Sequence, residues 1–124
     1  MAQRALPDPE LLAEIVESLP DAVVIADRTG TIVLANRQLE LLFGHPRAFM
    51  IGKPIESLLP EPLHERHRAH FAGFVKEPRV RPMGVGLTLT AINRSGEEFP
   101  VEINLAPLVV TDGIYFCAVI RKKS

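Results

Sequence analysis

The sequence predicts an α+β domain in the order helix, two strands, several short helices, three strands. Three observations carry this. Apolar residues recur at helical spacing over 10–19 and 63–75. They alternate with polar or small residues over 85–91 and 99–105. Turn sequences separate the strand-like runs at Asp27-Arg-Thr-Gly30, Ser95-Gly96 and Asp112-Gly113. Sequential strands joined by tight turns pair antiparallel, which sets the class as α+β.

The first helix starts at Asp8-Pro9-Glu10. Asp8 suits a cap, Pro9 the first turn, and Glu10 the positive end of the helix dipole. Leu11, Leu12, Ile15, Val16 and Leu19 follow as an apolar stripe, ended by Pro20. So short a helix needs a surface to pack on, either its own sheet or a partner subunit. Ala22–Ala26 and Thr31–Ala35 read as a hairpin. Asn36 caps a helix that runs to Phe43, and Gly44 supplies its left-handed stop. Pro46, Gly52, Pro54, Pro60 and Pro62 leave room only for helical turns near Ala48–Ile51 and Ile55–Leu59. A longer helix spans Leu63–Val75, and a basic loop with Arg79 and Arg81 lies between Pro78 and Pro82. The last three strands are Val85–Ala91, Phe99–Leu105 and Ile114–Ile120.

The 124 residues make one domain, large enough to fold without disulfide or metal because it buries roughly two-thirds of its unfolded surface. With 14 basic and 15 acidic side chains there is no nucleic-acid footprint. The single Cys117 fits a reducing compartment. No apolar run reaches the ~18–20 residues of a membrane span, and the N-terminal residues lack a signal-peptide core. The expectation is a cytoplasmic domain that does not insert into a membrane.

The chemically suggestive residue is His67, in the stripe Leu63, His67, Phe71, Phe74. The spacing i, i+4, i+8, i+11 holds these side chains on one helix face. An imidazole there needs a backbone carbonyl, another side chain or the iron of a cofactor as partner, and composition leaves all three open. His64 and His70 drift about 60° per three-residue step around the helix, so they read as solvated surface histidines rather than a zinc set. Arg79 and Arg81 read as loop arginines, Glu97-Glu98 as solvated carboxylates beside a turn, and Cys117 as a strand thiol. No Gly-x-Ser-x-Gly, phosphate-cradling Gly loop or His-Glu-x-x-His is present. The expected inner faces are aliphatic (Val24, Ile32, Leu42, Phe71, Leu89, Ile103), which suits either an apolar guest or a filled core.

The element order and six sequence pieces resemble the PAS sensory domain family. The pieces are Asp27-Arg-Thr-Gly30 followed by Ile32-Val-Leu-Ala-Asn36, then Leu42-Phe43-Gly44, Gly52-Lys-Pro54, Leu59-Pro-Glu-Pro62, and Asn93 through Ile103. The resemblance implies a five-stranded antiparallel sheet with helices packed on one face, a small pocket between them, and an N-terminal flanking helix. It implies residues 1–20 as flanking and dimerisation helix, 21–121 as the PAS domain and 122–124 as a tail. It further implies a non-catalytic signal-transduction module of a bacterial sensor histidine kinase or similar regulator. Such a module binds a small ligand or partner, forms a homodimer through the N-terminal helix and sheet, and relays to an attached output domain. Kinase activity would reside in that other domain.

Pro60-Glu-Pro-Leu-His-Glu-Arg-His67 is similar to the corresponding stretch of rhizobial oxygen-sensing PAS domains, where the histidine matching His67 ligates haem iron. Gly84 and Gly96 fall in register with that type. The alternative reading is therefore a haem b gas sensor with His67 as axial ligand, its pocket lined by Phe71, Val85, Leu87, Leu89, Ile103 and Leu105. Leu87 stands where that type carries an oxygen-binding arginine, so the distal side would favour carbon monoxide or nitric oxide. Flavin is disfavoured, because the Asn-Cys-Arg motif of light-sensing relatives is absent. A second alternative is a module for apolar, fatty-acid-like molecules, or for dimerisation alone.

Overall fold

The computed structural model describes residues 9–77, 88–110 and 113–123. Asp8, Arg79, Arg81, Gly84, Val85, Leu87 and Asp112 lie outside the described residues. Helix α1 (Pro9–Glu17) precedes strands β1 (Ala22–Asp27) and β2 (Ile32–Ala35). Helices α2 (Arg37–Phe43) and α3 (Arg47–Met50) follow, then two 3₁₀ turns (Ile55–Leu58 and Glu61–Leu63) and the long helix α4 (His64–Lys76). Strands β3 (Thr88–Ile92), β4 (Glu98–Val110) and β5 (Gly113–Lys122) complete the chain. The five strands form one sheet in the order β2-β1-β5-β4-β3, with every pairing antiparallel.

Local chemistry explains the punctuation. Asp27 Oδ1 accepts from the Thr29 amide (2.9 Å), the Thr29 hydroxyl (2.6 Å) and the Thr31 amide (3.1 Å), which fixes the β1–β2 turn. Asn36 caps α2 as expected, its side chain accepting from Leu39 N. Gly44 ends that helix at φ 76°, a conformation costly for residues with a Cβ. Asn36 is also wholly buried, and its amide fills every remaining bond: Val23 N donates to Oδ1, while Nδ2 donates to the carbonyls of Val16 and Asp21.

The pleat of the sheet sends alternate side chains to opposite faces. Val24, Val101, Phe116, Ala118 and Ile120 face α2–α4, where Leu39, Phe43, Met50 and Leu58 complete the main core. Val23, Ile25, Leu34, Cys117 and Val119 face the other way and are covered by α1 through Leu12 and Val16. The single apolar stripe read for α1 is thus two seams. Leu12 and Val16 pack on the sheet, whereas Leu11, Ile15 and Leu19 point away from it and are exposed.

Strand β4 outruns its predicted end at Leu105 and continues through Pro107. Among the described residues β3 pairs only with Glu98–Glu102, so beyond that point one side of β4 tolerates a residue without an amide hydrogen.

Candidate functional site

A cavity of about 490 Å³ lies between α4 and the sheet. This is within the range of small-molecule sites, roughly 300–1,000 Å³. His67, His70, Phe71, Phe74 and Glu77 line it from α4, and Ile55, Leu58 and Leu59 from the 3₁₀ turn and its end. The sheet supplies its floor, including Val24, Leu89, Val101, Ile103, Leu105 and Phe116. Of the residues read from the sequence, Val24, His67, Phe71, Leu89, Ile103 and Leu105 meet here. Ile32 and Leu42 do not; both belong to the packed core beyond the cavity.

The lining is more aromatic than the sequence suggested. Phe43, Phe71, Phe74 and Phe116 all contribute. The ring of Phe116 meets Phe71 edge-on (centroids 5.2 Å apart, 72° between planes) and lies 5.3 Å from Phe74. Helical spacing brings Phe71 and Phe74 together, but their meeting with Phe116 is a long-range contact that no local pattern reports.

Of the partners left open for His67, the protein itself supplies a side chain. Its Nδ1 lies 2.6 Å from Oε2 of Glu56, a carboxylate only 6% exposed. Glu56 was not singled out in the sequence, because a four-residue 3₁₀ turn between prolines has no periodicity to tell its inner face. The neighbours Ile55, Leu58 and Leu59, all cavity-lining, were the available sign that this turn is buried. Arg68 Nε stands 4.0 Å from the other oxygen, Oε1, on the solvent side. The imidazole is also stacked near Phe71, with centroids 6.3 Å apart and 22° between planes.

A backbone carbonyl is instead the partner of His64, whose Nε2 lies 2.7 Å from the Leu59 carbonyl. His64 is therefore half-buried and bonded rather than a solvated surface residue. His70 is exposed, at the cavity rim. Among the described residues no three His, Cys, Asp or Glu side chains converge as a metal set. Cys117 faces α1, on the opposite side of the sheet, where burial pushes its thiol up and away from the reactive thiolate.

The sequence model of the PAS fold matches residues 10–123. Sensor protein FixL of Bradyrhizobium diazoefficiens is 28% identical over 110 residues, covering 89% of this chain and 22% of that protein. Sensory histidine kinase/phosphatase NtrB of Azospirillum brasilense is 31% identical over 108 residues, covering 78% of this chain and 26% of its own length. The chain thus spans about a quarter or less of the length of the curated relatives it matches. Among solved structures, the PAS domain of an HTR-like protein from Haloarcula marismortui superposes with a TM-score of 0.76 at 21% identity, covering 92% of this chain and 90% of that one. The Rhodobacter sphaeroides LOV protein gives 0.78 at 18% identity, covering 93% and 67%.

A sheet with helices on one face, a flanking helix on the other and a cavity between helix and sheet defines a PAS-type sensory domain. The chain belongs to the PAS fold family. It is similar to the PAS domains of sensor histidine kinases. No helix among the described residues is long and apolar enough to cross a membrane.

Proposed function

We propose that this chain is a non-catalytic cytoplasmic sensor module that reads a small molecule in the α4 cavity and relays its presence to an attached output domain, as in a sensor histidine kinase. The 490 Å³ cavity carries the reading. Its apolar walls supply affinity, and His67 at the wall supplies orientation. Among the described lining residues there is no serine, threonine or cysteine for the Glu56–His67 pair to activate as a nucleophile. Residues 21–121 form the sensing body, 1–20 the flanking helix that dimerises, and 122–124 the tail. A guest that displaces α4 would change its packing on Phe116 of β5, the strand whose Cys117 and Val119 pack toward α1 on the opposite face. Native mass spectrometry of protein purified under gentle conditions tests this. A non-covalent adduct lost on denaturation is the expected result; apo mass alone, with no binder found in a small-molecule screen, would sink it.

A second reading, haem b held by His67, draws support from the same geometry. Iron-bound histidines usually give their other ring N–H to a carboxylate, and Glu56 is placed to accept it. His67 would hold the iron, and Phe71, Ile103 and Leu105 would face the macrocycle. Bound haem would supply a ferrous centre for diatomic gases. Val85 and Leu87, which the resemblance places in this pocket, lie outside the described residues. Titrating the protein with hemin and comparing it with His67→Ala decides the matter: a Soret band that needs His67 supports haem, and identical spectra dismiss it.

A further inference from the structure

The outer ridge of α1 has a complement on the same chain. Leu11 and Ile15 are exposed. Leu12 and Val16, one position later, face the sheet. Glu10 and Glu14, one position earlier, therefore border the ridge on the side turned away from it. The helix carries no basic residue. Two such helices laid on one another would bring acid to acid. The face that suits α1 is apolar and positive.

The α3 region presents such a face. Phe49 and Ile51 are exposed. The Gly52 amide donates to the Ile32 carbonyl (2.8 Å) and the Ile32 amide to the Lys53 carbonyl (2.9 Å), which lays this segment along β2 beside the exposed Val33. Lys53 Nζ lies 4.2 Å from the centroid of the Phe49 ring. His45 stacks on the same ring, with centroids 4.8 Å apart. The Arg94 amide donates to the Phe43 carbonyl (2.9 Å), which brings the β3–β4 turn to the end of α2. Burial, and then the charges of Arg94 and Lys53, hold the His45 ring below the usual histidine range, so both cations act on this spot. Among the described residues no carboxylate pairs with Lys53 or Arg94. Glu40 gives both oxygens to Arg47, and Glu97 accepts from Asn93.

We infer that α1 of one copy docks on the Phe49–Ile51 face of a second copy, its carboxylates toward Lys53 and Arg94, and that the contact is reciprocal. This rests on the dimer reading above and deepens it by naming the receiving surface. Reciprocity follows from where the two surfaces sit. Glu17 at the end of α1 bonds Arg47 at the start of α3 (3.0 Å), so helix and face adjoin within each chain. A two-fold axis between them brings each onto its counterpart.

Charge reversal with mixing tests this. Sedimentation equilibrium at low salt gives the dimer dissociation constant of the wild-type chain, Lys53→Glu and Glu14→Lys. Each variant alone should dimerise roughly tenfold more weakly, since both reciprocal contacts turn repulsive. An equimolar mixture of the two should recover the wild-type constant, because every contact in the heterodimer again joins an acid to a base. That recovery also shows both variants to be folded. Added salt should weaken the wild-type dimer. A dimer indifferent to Lys53→Glu, or a mixture no tighter than its parts, overturns the receiving face while leaving α1 as an interface. Assembly beyond the dimer overturns reciprocity. A wild-type chain that stays monomeric at every concentration removes the dimer reading itself.

Discussion

The Asn36 side chain amide donates to the carbonyl of Val16 across 3.0 Å, joining the last turn of α1 to the start of α2. The same nitrogen holds Asp21 O, and the oxygen holds the amides of Val23 and Leu39. One wholly buried residue thus ties the flanking helix, the first strand and a core helix together.

Asn36→Ala should therefore cost about 3–4 kcal/mol, since it strands several buried backbone groups and removes a cap. Urea unfolding measures it. Asn36→Asp is the sharper variant. It keeps an oxygen for Val23 and Leu39 but turns the donor end into an acceptor facing two carbonyls. Hydrogen exchange should then lose protection selectively in 9–19; unchanged protection there would show that α1 is held by Leu12 and Val16 alone.

Acid should expose the β1–β2 turn. Partial burial pushes the Asp27 carboxyl up, but the Thr29 hydroxyl and the Thr31 and Thr29 amides outweigh it and hold the group below the usual aspartate range. A depressed folded value means that the anion stabilises the fold above the unfolded value, about 3.9, and that this stability fades as pH falls through the folded one. Wild type should be more stable than Asp27→Asn at pH 7, and the gap should narrow as pH drops below about 4. Denaturant midpoints at several pH values check it; a gap that stays constant would mean that the charge contributes nothing.

Filling the cavity separates its two roles. Ala118 lies on β5 and lines the cavity floor. Ala118→Leu should add about 0.5–2 kcal/mol of stability if the new methyls enter open space. The same variant should no longer carry the small-molecule adduct that native mass spectrometry reads on wild type. A variant that still binds it at wild-type strength would place the guest elsewhere.

How much of this was legible beforehand follows from range. Asn36, Gly44 and the Asp27–Gly30 turn are local devices, and their residue types announce them. The α4 stripe announced that His67, Phe71 and Phe74 share a face. Partners reached through the chain's return were hidden. Glu56 precedes His67 by eleven residues with two prolines between, and Phe116 arrives from the last strand. The two seams of α1 were merged in the sequence because Leu11 and Leu12, like Ile15 and Val16, are adjacent. Only the position of the sheet shows which member of each pair it covers.

That outer seam carries the last prediction. Leu11, Ile15 and Leu19 follow one another at four-residue spacing and are 49%, 47% and 39% exposed. Leu11 and Ile15 on the nine-residue helix, with Leu19 just past its end, form a ridge that a second copy can cover. If the homodimer forms there, Ile15→Glu should convert dimer to monomer mass in size-exclusion chromatography with light scattering. Since Ile15 leaves the sheet untouched, stability of the monomeric fold should change by no more than about 0.5 kcal/mol. A dimer that survives Ile15→Glu and Leu11→Glu together would move the interface off α1, to another surface of the domain.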